Sequence, residues 1–379
     1  MTILITIFIY LINFINALLR KHSKLLLSLM IVLIWVLMGA NTQNPDIYAY
    51  QLSYSNSNLV SLEIGYRGLE KIASFLSMDY LTFRMIISAL GILLIHQTVK
   101  RLTNNRTAFY LLYFIYPFLL DVVQTRNFLA MSIFIFAVPY LLSDKKRDLI
   151  KYILFIIIAS SIQITAIVYL PIVLFIRKRK SILFKILIIE GIVFLILISL
   201  NQSALDILSQ ILINTIGSYS VRLAKYAYRQ TSFGFLLFWF MQFTNFLLVY
   251  WANQNFKFTN NNRASSERTV NSIKNNALEV NNFQQKYVVL ILWINAYAFL
   301  FLPFYVFQST FSRFMRNIVP LNLLAYVVTG QNLPPKSVKK LLFTITYIGY
   351  NLFLFYMDVY ILYSESIVKA IFRYNWLLP

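Results

Sequence analysis

The chain has 379 residues, of which 59% are apolar and only 12% charged, with a mean hydropathy of +0.67. That composition specifies an integral membrane protein, and no polar stretch is long enough to bury a soluble core of its own. The absence of cysteine excludes disulfides, thiol catalysis and Cys-ligated metals, while the formal charge of +21 is spread over loops between apolar runs and reads as membrane topology, not nucleic-acid binding.

In chain order, hydropathy predicts about twelve spans, at 2–19, 25–40, 80–98, 107–122, 127–142, 149–160, 163–176, 181–200, 232–252, 287–307, 316–330 and 341–363. The expected fold is therefore all-α, a polytopic integral membrane protein forming a single transmembrane domain over 1–379. The first apolar segment lacks a basic leader and a small-residue cleavage site, so it reads as a span and not as a signal peptide. Basic clusters fall in every second loop: Arg20/Lys21/Lys24, Lys100/Arg101/Arg106, Lys145/Lys146/Arg147/Lys151, Arg177 to Lys180 with Lys185, the 253–286 loop, and Lys336/Lys339/Lys340. The positive-inside rule then places both termini outside the cytoplasmic membrane.

Two places depart from plain spans. Asp121-Val122-Val123-Gln124-Thr125-Arg126-Asn127 interrupts an apolar run and predicts the tip of a membrane hairpin on the outer side. The segment 149–176 has basic flanks at both ends, so it must enter and return within its own length. Two half-length helices meeting near Ser160-Ser161-Ile162-Gln163 would do so, with broken backbone lining a cavity open to the outside. One long tilted helix with a misassigned loop is the alternative.

Three loops are long. The outer loop 41–79 contains Glu63-Ile64-Gly65-Tyr66 and then a helical stripe, Leu69/Ile72/Ala73/Leu76. The outer loop 201–231 carries Leu205/Leu208/Ile211/Leu212 at helical spacing, as in an amphipathic helix on the membrane surface. The loop 253–286, rich in Asn and Ser, is expected to be a flexible inner linker.

Sorted by this threading, the outer side holds three lysines (Lys71, Lys225, Lys369) against eight arginines (Arg67, Arg84, Arg126, Arg222, Arg229, Arg313, Arg316, Arg373); the inner side holds more lysine than arginine. Topology needs only positive charge, whereas planar, two-pronged recognition of phosphate or carboxylate needs arginine. Arg126 sits at a helix start, whose free N–H groups also favour an anion. Arg313 and Arg316 lie one turn apart, and Arg222, Lys225 and Arg229 form a basic stripe. Each alone could be an interfacial arginine on lipid headgroups; the bias of the set points to an anionic ligand. Asp46, Glu63, Glu70, Asp79, Asp121, Asp206, Asp358 and Glu365 fall on the same side, and Glu190 falls within a span. Both histidines, His22 and His96, lie at the inner end, so an outer base would be a carboxylate, and no metal-ligand spacing occurs.

The order of these features resembles the EpsG/Wzy-like polysaccharide polymerases of bacterial envelopes. The matching pieces are Asp46-x-x-x-Tyr50, Glu63-x-Gly65-Tyr66, Gln124-x-Arg126-x-x-x-Ala130, the break at Ile162-Gln163-Ile164-Thr165-Ala166, and Arg313-x-x-Arg316. One departure is Gln163, where the family commonly carries a histidine, so an acid/base role at that position does not transfer. The resemblance implies a metal-independent glycosyltransferase without cofactor. It would join undecaprenyl-diphosphate-linked oligosaccharide repeats at the outer face of the bacterial inner membrane, with the lipid bilayer as its surroundings and a flippase and a chain-length regulator as candidate protein partners. Under it Asp46, Glu63 and Arg126 are the candidate catalytic residues, with Asp46 or Glu63 handling the acceptor hydroxyl. Gln124, Gln163, Arg313, Arg316, Tyr50, Tyr66, Arg222, Lys225 and Arg229 are candidate substrate contacts. The competing readings are a lipid-linked oligosaccharide flippase, which should show two similar halves and charge reachable from both sides, and an O-antigen ligase or related transferase with a different acceptor.

Overall fold

The computed structural model describes residues 1–19, 23–56, 63–178, 181, 189–193, 196, 234–266, 274–307 and 309–378. The stripe Arg222/Lys225/Arg229 and the expected outer loop 201–231 lie outside them.

Among the described residues the chain is helical throughout, and the sole bridge between extended residues joins Asn41 to Asn375. The helices are α1 (Thr2–Leu18), α2 (Lys24–Gly39), α3 (Ile47–Ser55), α4 (Ile64–Phe75), α5 (Tyr80–Leu102), α6 (Arg106–Ile115), α7 (Phe118–Val123), α8 (Thr125–Ala137), α9 (Lys146–Ile162), α10 (Ile172–Lys178), α11 (Phe235–Ser266), α12 (Lys274–Tyr297), α13 (Leu302–Phe307), α14 (Arg313–Arg316), α15 (Val319–Asn332) and α16 (Val338–Phe355). A tail of short π and α turns runs from Tyr356 to Arg373. Among the described residues five stretches are long and apolar enough to cross a membrane: Tyr80–Leu102, Thr125–Leu142, Phe235–Lys257, Asn281–Val306 and Val338–Tyr360. Shorter apolar helices cover Thr2–Leu18, Lys24–Gly39 and Ile164–Arg177. Twelve spans were expected, and one of them, 181–200, lies mostly outside the described residues. Several expected spans are broken or short, because the chain kinks where polar residues or prolines interrupt the apolar run, as between α6, α7 and α8.

The centre of the bundle is formed by α8 and α15, buried along nearly their whole lengths. Apolar burial distinguishes little between protein and lipid tails, so close packing and buried polar contacts must hold such helices together. Both are present. Gly91 on α5 lets the Phe128 ring of α8 approach so closely that an added Cβ would lie 2.3 Å from its Cε1. Deeper in the bundle, Asn322 of α15 donates to Asn245 of α11 and Asn295 of α12, at 3.1 Å each, and accepts from Asn295 at 2.7 Å.

The two ends of the bundle differ. At one end Arg101 lies over the rings of Tyr140 and Phe283, Gln284 donates to the carbonyl of Leu102, and Thr103 donates to Gln331. The clusters around Arg106, Lys145–Arg147 and Lys336–Lys340 share this end, as the threading expected. The opposite end carries Asn41, Arg126 and the C-terminal segment, which is pinned there by Thr42 N–H to Tyr374 O and Trp376 N–H to Ala40 O.

Two expectations need correction. The stretch 253–286, expected as a loop, carries helix at both ends: α11 runs on to Ser266 and α12 starts at Lys274, and 267–273 lie outside the described residues. A helix already nucleated inside the bundle extends into polar sequence at the small cost of propagation, so polarity alone did not end it. The hairpin tip is also not an exposed tip. The turn exists, with Gln124 between α7 and α8, but Asp121, Thr125 and Asn127 are buried. The 41–79 segment folds into α3 and α4, and Glu63 at the start of α4 reaches Arg126.

Candidate functional site

Three local breaks build the site. After Ile162 the α9 helix stops: Gln163 is extended (φ −142°, ψ 110°), and a 3-10 helix continues from Ile164 to Tyr169. This is the break expected at 149–176, and it leaves the Ile164 N–H without a helical partner. Gln124 interrupts α7 and α8, so α8 begins at Thr125 with no side-chain cap. The third break ends α14 at Arg316 and starts α15 at Val319, where Pro320 occupies the first turn.

Glu63 joins the first two breaks. One carboxylate oxygen accepts from Arg126 Nη1 at 2.6 Å and the other from the Ile164 N–H at 3.1 Å. The pair is mostly shielded, with side chains 19% and 14% exposed. Gly65, two residues on, makes this possible: a Cβ there would meet Ser161 Oγ at 2.3 Å and the Ser161 carbonyl oxygen at 2.7 Å. The start of α4 therefore lies directly on the end of α9, and only glycine fits.

The third break is tied to the second. Arg316 donates through Nη2 to Gln124 Oε1. Asn127 and Asn317, the residues following Arg126 and Arg316, exchange a reciprocal pair of amide hydrogen bonds at 3.0 and 3.1 Å. Tyr169, at the end of the 3-10 helix, donates to the Phe314 carbonyl at 3.1 Å. Arg316 is 4% exposed, and its Nε has no partner. The carboxylates in its field besides Asp46 are Asp121, hydrogen-bonded by Tyr113 at 2.8 Å, and Asp358, hydrogen-bonded by Tyr116 at 2.7 Å.

Asp46 sits at the start of α3 without capping it. Burial raises its pKa above the usual carboxylate value, opposed by the positive charges of Arg313, Arg126 and Arg316 in that order. All three expected anion-binding arginines thus act on one carboxylate. Among the described residues Asp46 belongs to no ion pair within 4 Å. Tyr50, one turn further, is half-buried, and its pKa is raised by burial against the field of Arg126. Nearby, Glu70 is buried and receives the Ser53 hydroxyl at 3.4 Å. Burial pushes its pKa up to about 7, with Ser53, Arg126 and Arg67 opposing.

The structure brings together Asp46, Tyr50, Glu63, Gln124, Arg126, Arg313 and Arg316, with Gln163 beside them at the helix break. Other expected residues are placed differently. Tyr66 lies under the group, its ring 6.3 Å from that of Tyr50, but it is 1% exposed and packs edge-on to Phe83, 5.8 Å between ring centres, because the period of α4 turns it into the core. Arg84 leaves the anion-binding set as well. It is 1% exposed and donates to the carbonyls of Asn41 at 2.5 Å and Val122 at 2.7 Å, clamping α2 to α7. Arg373 lies over Tyr374. The Asn127–Asn317 pair was missed, although the sequence carries its signal: the dipeptide Arg-Asn occurs at both Arg126 and Arg316. The Tyr113–Asp121 and Tyr116–Asp358 pairs have no such signature. No group of three or more His, Cys, Asp or Glu side chains among the described residues could hold a metal ion.

Compared with known proteins, a family model described as the EpsG family matches residues 24–376. No curated protein and no solved structure matches the chain.

Proposed function

Because the chain belongs to the EpsG family, a Wzy-like family of polysaccharide polymerases, we propose that it polymerises lipid-diphosphate-linked oligosaccharide repeats at the end of the bundle that carries Arg126. The observation that supports this most is the Glu63–Arg126 pair set beside the Arg316–Gln124 bond, with the positive charges of Arg126, Arg313 and Arg316 all acting on Asp46.

A diphosphate leaving group needs donors that strengthen as negative charge develops on its bridging oxygen, and arginines held in place do that without reorganising. In this reading Glu63 is a resident counter-ion. The undecaprenyl diphosphate of the donor displaces it from Arg126 and from the Ile164 N–H, taking two donors that now serve a carboxylate. Arg316, held by Gln124 and with Nε unpartnered, and Arg313 complete the cradle.

Asp46 takes the general-base role. Its carboxylate makes no close ion pair among the described residues, and burial has made it a better proton acceptor than an exposed aspartate. The acceptor hydroxyl oxygen forms a bond to the anomeric carbon of the donor sugar, the carbon–oxygen bond to the diphosphate breaks with its electron pair passing to the diphosphate, and the hydroxyl proton moves to Asp46. No nucleotide is needed, since the lipid-linked bond is already activated. Tyr50 and Gln163 are candidate contacts to the sugars. The apolar side chains Ile64, Ile72 and Phe75, spread along α4 from the Glu63 end to its far end, are 84%, 60% and 87% exposed, which suits a lipid-bound substrate.

The positive-inside rule puts this end on the outer face of the cytoplasmic membrane. The test is a deletion strain complemented with the wild type or with Asp46→Asn, with surface glycan analysed by length. Single repeats exported without long chains, in both the deletion and the Asp46→Asn strain, fit a polymerase with Asp46 as base. Lipid-linked repeats accumulating only on the cytoplasmic side would replace the reading with a flippase.

A further inference from the structure

A cavity of about 760 Å³ lies at the opposite, lysine-rich end, between α1, α6, α15 and α16. Its depth is apolar, lined by Phe14, Leu111, Leu112 and Ile115, and its mouth carries Asn104, Asn105, Gln331, Lys336 and Lys340. The catalytic proposal uses none of these residues. Along α16 the lining runs from Val338 to Ile348, which at 1.5 Å per residue is about 15 Å, half of a hydrocarbon core roughly 30 Å thick. Apolar side chains also stand exposed on its rim, Leu18 65%, Val338 72% and Leu341 59%, a surface suited to lipid.

A site with cations and amides at membrane-surface level and one leaflet's depth of apolar wall below them is complementary to an amphiphile with an anionic head. We infer that this groove binds an anionic phospholipid, with its phosphate at Lys336 and Lys340 and one acyl chain along Leu111, Leu112 and Ile115. The lipid occupies the groove between α1, α6 and α16. It thereby braces α15, the central helix whose other end begins three residues after Arg316.

The test uses the full-length protein, delipidated in detergent and examined by native mass spectrometry with phosphatidylglycerol, phosphatidylcholine and undecaprenyl phosphate offered in turn. Phosphatidylglycerol should be retained over phosphatidylcholine, and Lys336→Gln/Lys340→Gln should lower that retention roughly 10- to 30-fold, as expected for two lysines near a membrane surface. Ala108→Phe, which fills the groove and leaves both lysines, should lower it as well. Equal retention of the two phospholipids, or undiminished retention in Ala108→Phe, would overturn the inference, the second by showing that the lysines attract lipid to the surface alone. Displacement of phosphatidylglycerol by equimolar undecaprenyl phosphate would also overturn it, by making the isoprenoid the occupant.

Discussion

Replacing Glu63 with Gln tests the idea that a carboxylate of the protein stands where the donor's diphosphate must go. The substitution keeps the shape and one acceptor for the Ile164 N–H but removes the charge that Arg126 holds at 2.6 Å. With charge centres about 4 Å apart and an effective dielectric near 20, the gross attraction is about 4 kcal/mol. Desolvation of both groups leaves on the order of 1.5–3 kcal/mol for a charge-assisted hydrogen bond. An incoming anion must overcome that amount, and each roughly 1.4 kcal/mol is a factor of ten. Glu63→Gln should therefore bind inorganic pyrophosphate about 10- to 100-fold more tightly than the wild type, measured by titration calorimetry in detergent at neutral pH. Arg126→Lys, which keeps the charge but loses the fork, should bind it more weakly. The difference between Glu63→Gln and wild type should shrink in high salt only modestly, because both side chains are largely shielded. Equal pyrophosphate affinity in wild type and Glu63→Gln would refute the exchange: the anion would then not reach Arg126, and the pair would be purely structural.

Three further outcomes follow from the packing. Gly65→Ala forces a Cβ to within 2.7 Å of the Ser161 carbonyl oxygen; backbone cannot yield as a side-chain tip can, so α4 must lift from α9 at a cost of about 1–3 kcal/mol. Thermal unfolding should show the loss, Ser161→Gly should fail to restore it, and an unchanged melting temperature would contradict the close approach. Glu70 has its pKa raised by burial to about 7 in the folded protein, so its contribution to stability is fully present below the ordinary carboxylate range and is lost as pH rises through about 7. Glu70→Gln should accordingly raise the melting temperature relative to wild type at pH 8 and not at about pH 3.5; a difference independent of pH would mean that burial does not shift Glu70. Asn322→Ala removes the hub of three amide hydrogen bonds joining α11, α12 and α15 and should destabilise by about 1–2 kcal/mol, seen as a lower detergent-denaturation midpoint, with wild-type stability in that variant arguing against the network.

How much of this was legible in the chain differs by kind of feature. The membrane class, the helical fold, the break at Gln163 and the interest of Arg126, Arg313 and Arg316 were readable, because each rests on local composition: apolar runs, basic flanks too close together, and arginine where lysine would serve. The Asn127–Asn317 pair was half-legible in the repeated Arg-Asn dipeptide. Helix continuation to Ser266 was not legible, since polar sequence does not by itself end a hydrogen-bond ladder.

By itself, then, the sequence determined that this is a membrane-embedded helical protein of the EpsG family, with arginines favoured over lysines on one side of its threading. Only the tertiary structure decided which charges are engaged and by what. Glu63 and Arg126 neutralise each other, Arg84 is fastened to backbone carbonyls, Tyr66 is core, and the positive charges of three arginines act on Asp46. The physical reason is that hydropathy and helical spacing act over a few neighbouring residues. The partner of a buried charge, by contrast, is supplied by whichever distant helix packs against it, and here a glycine at position 65 sets how closely that helix can come.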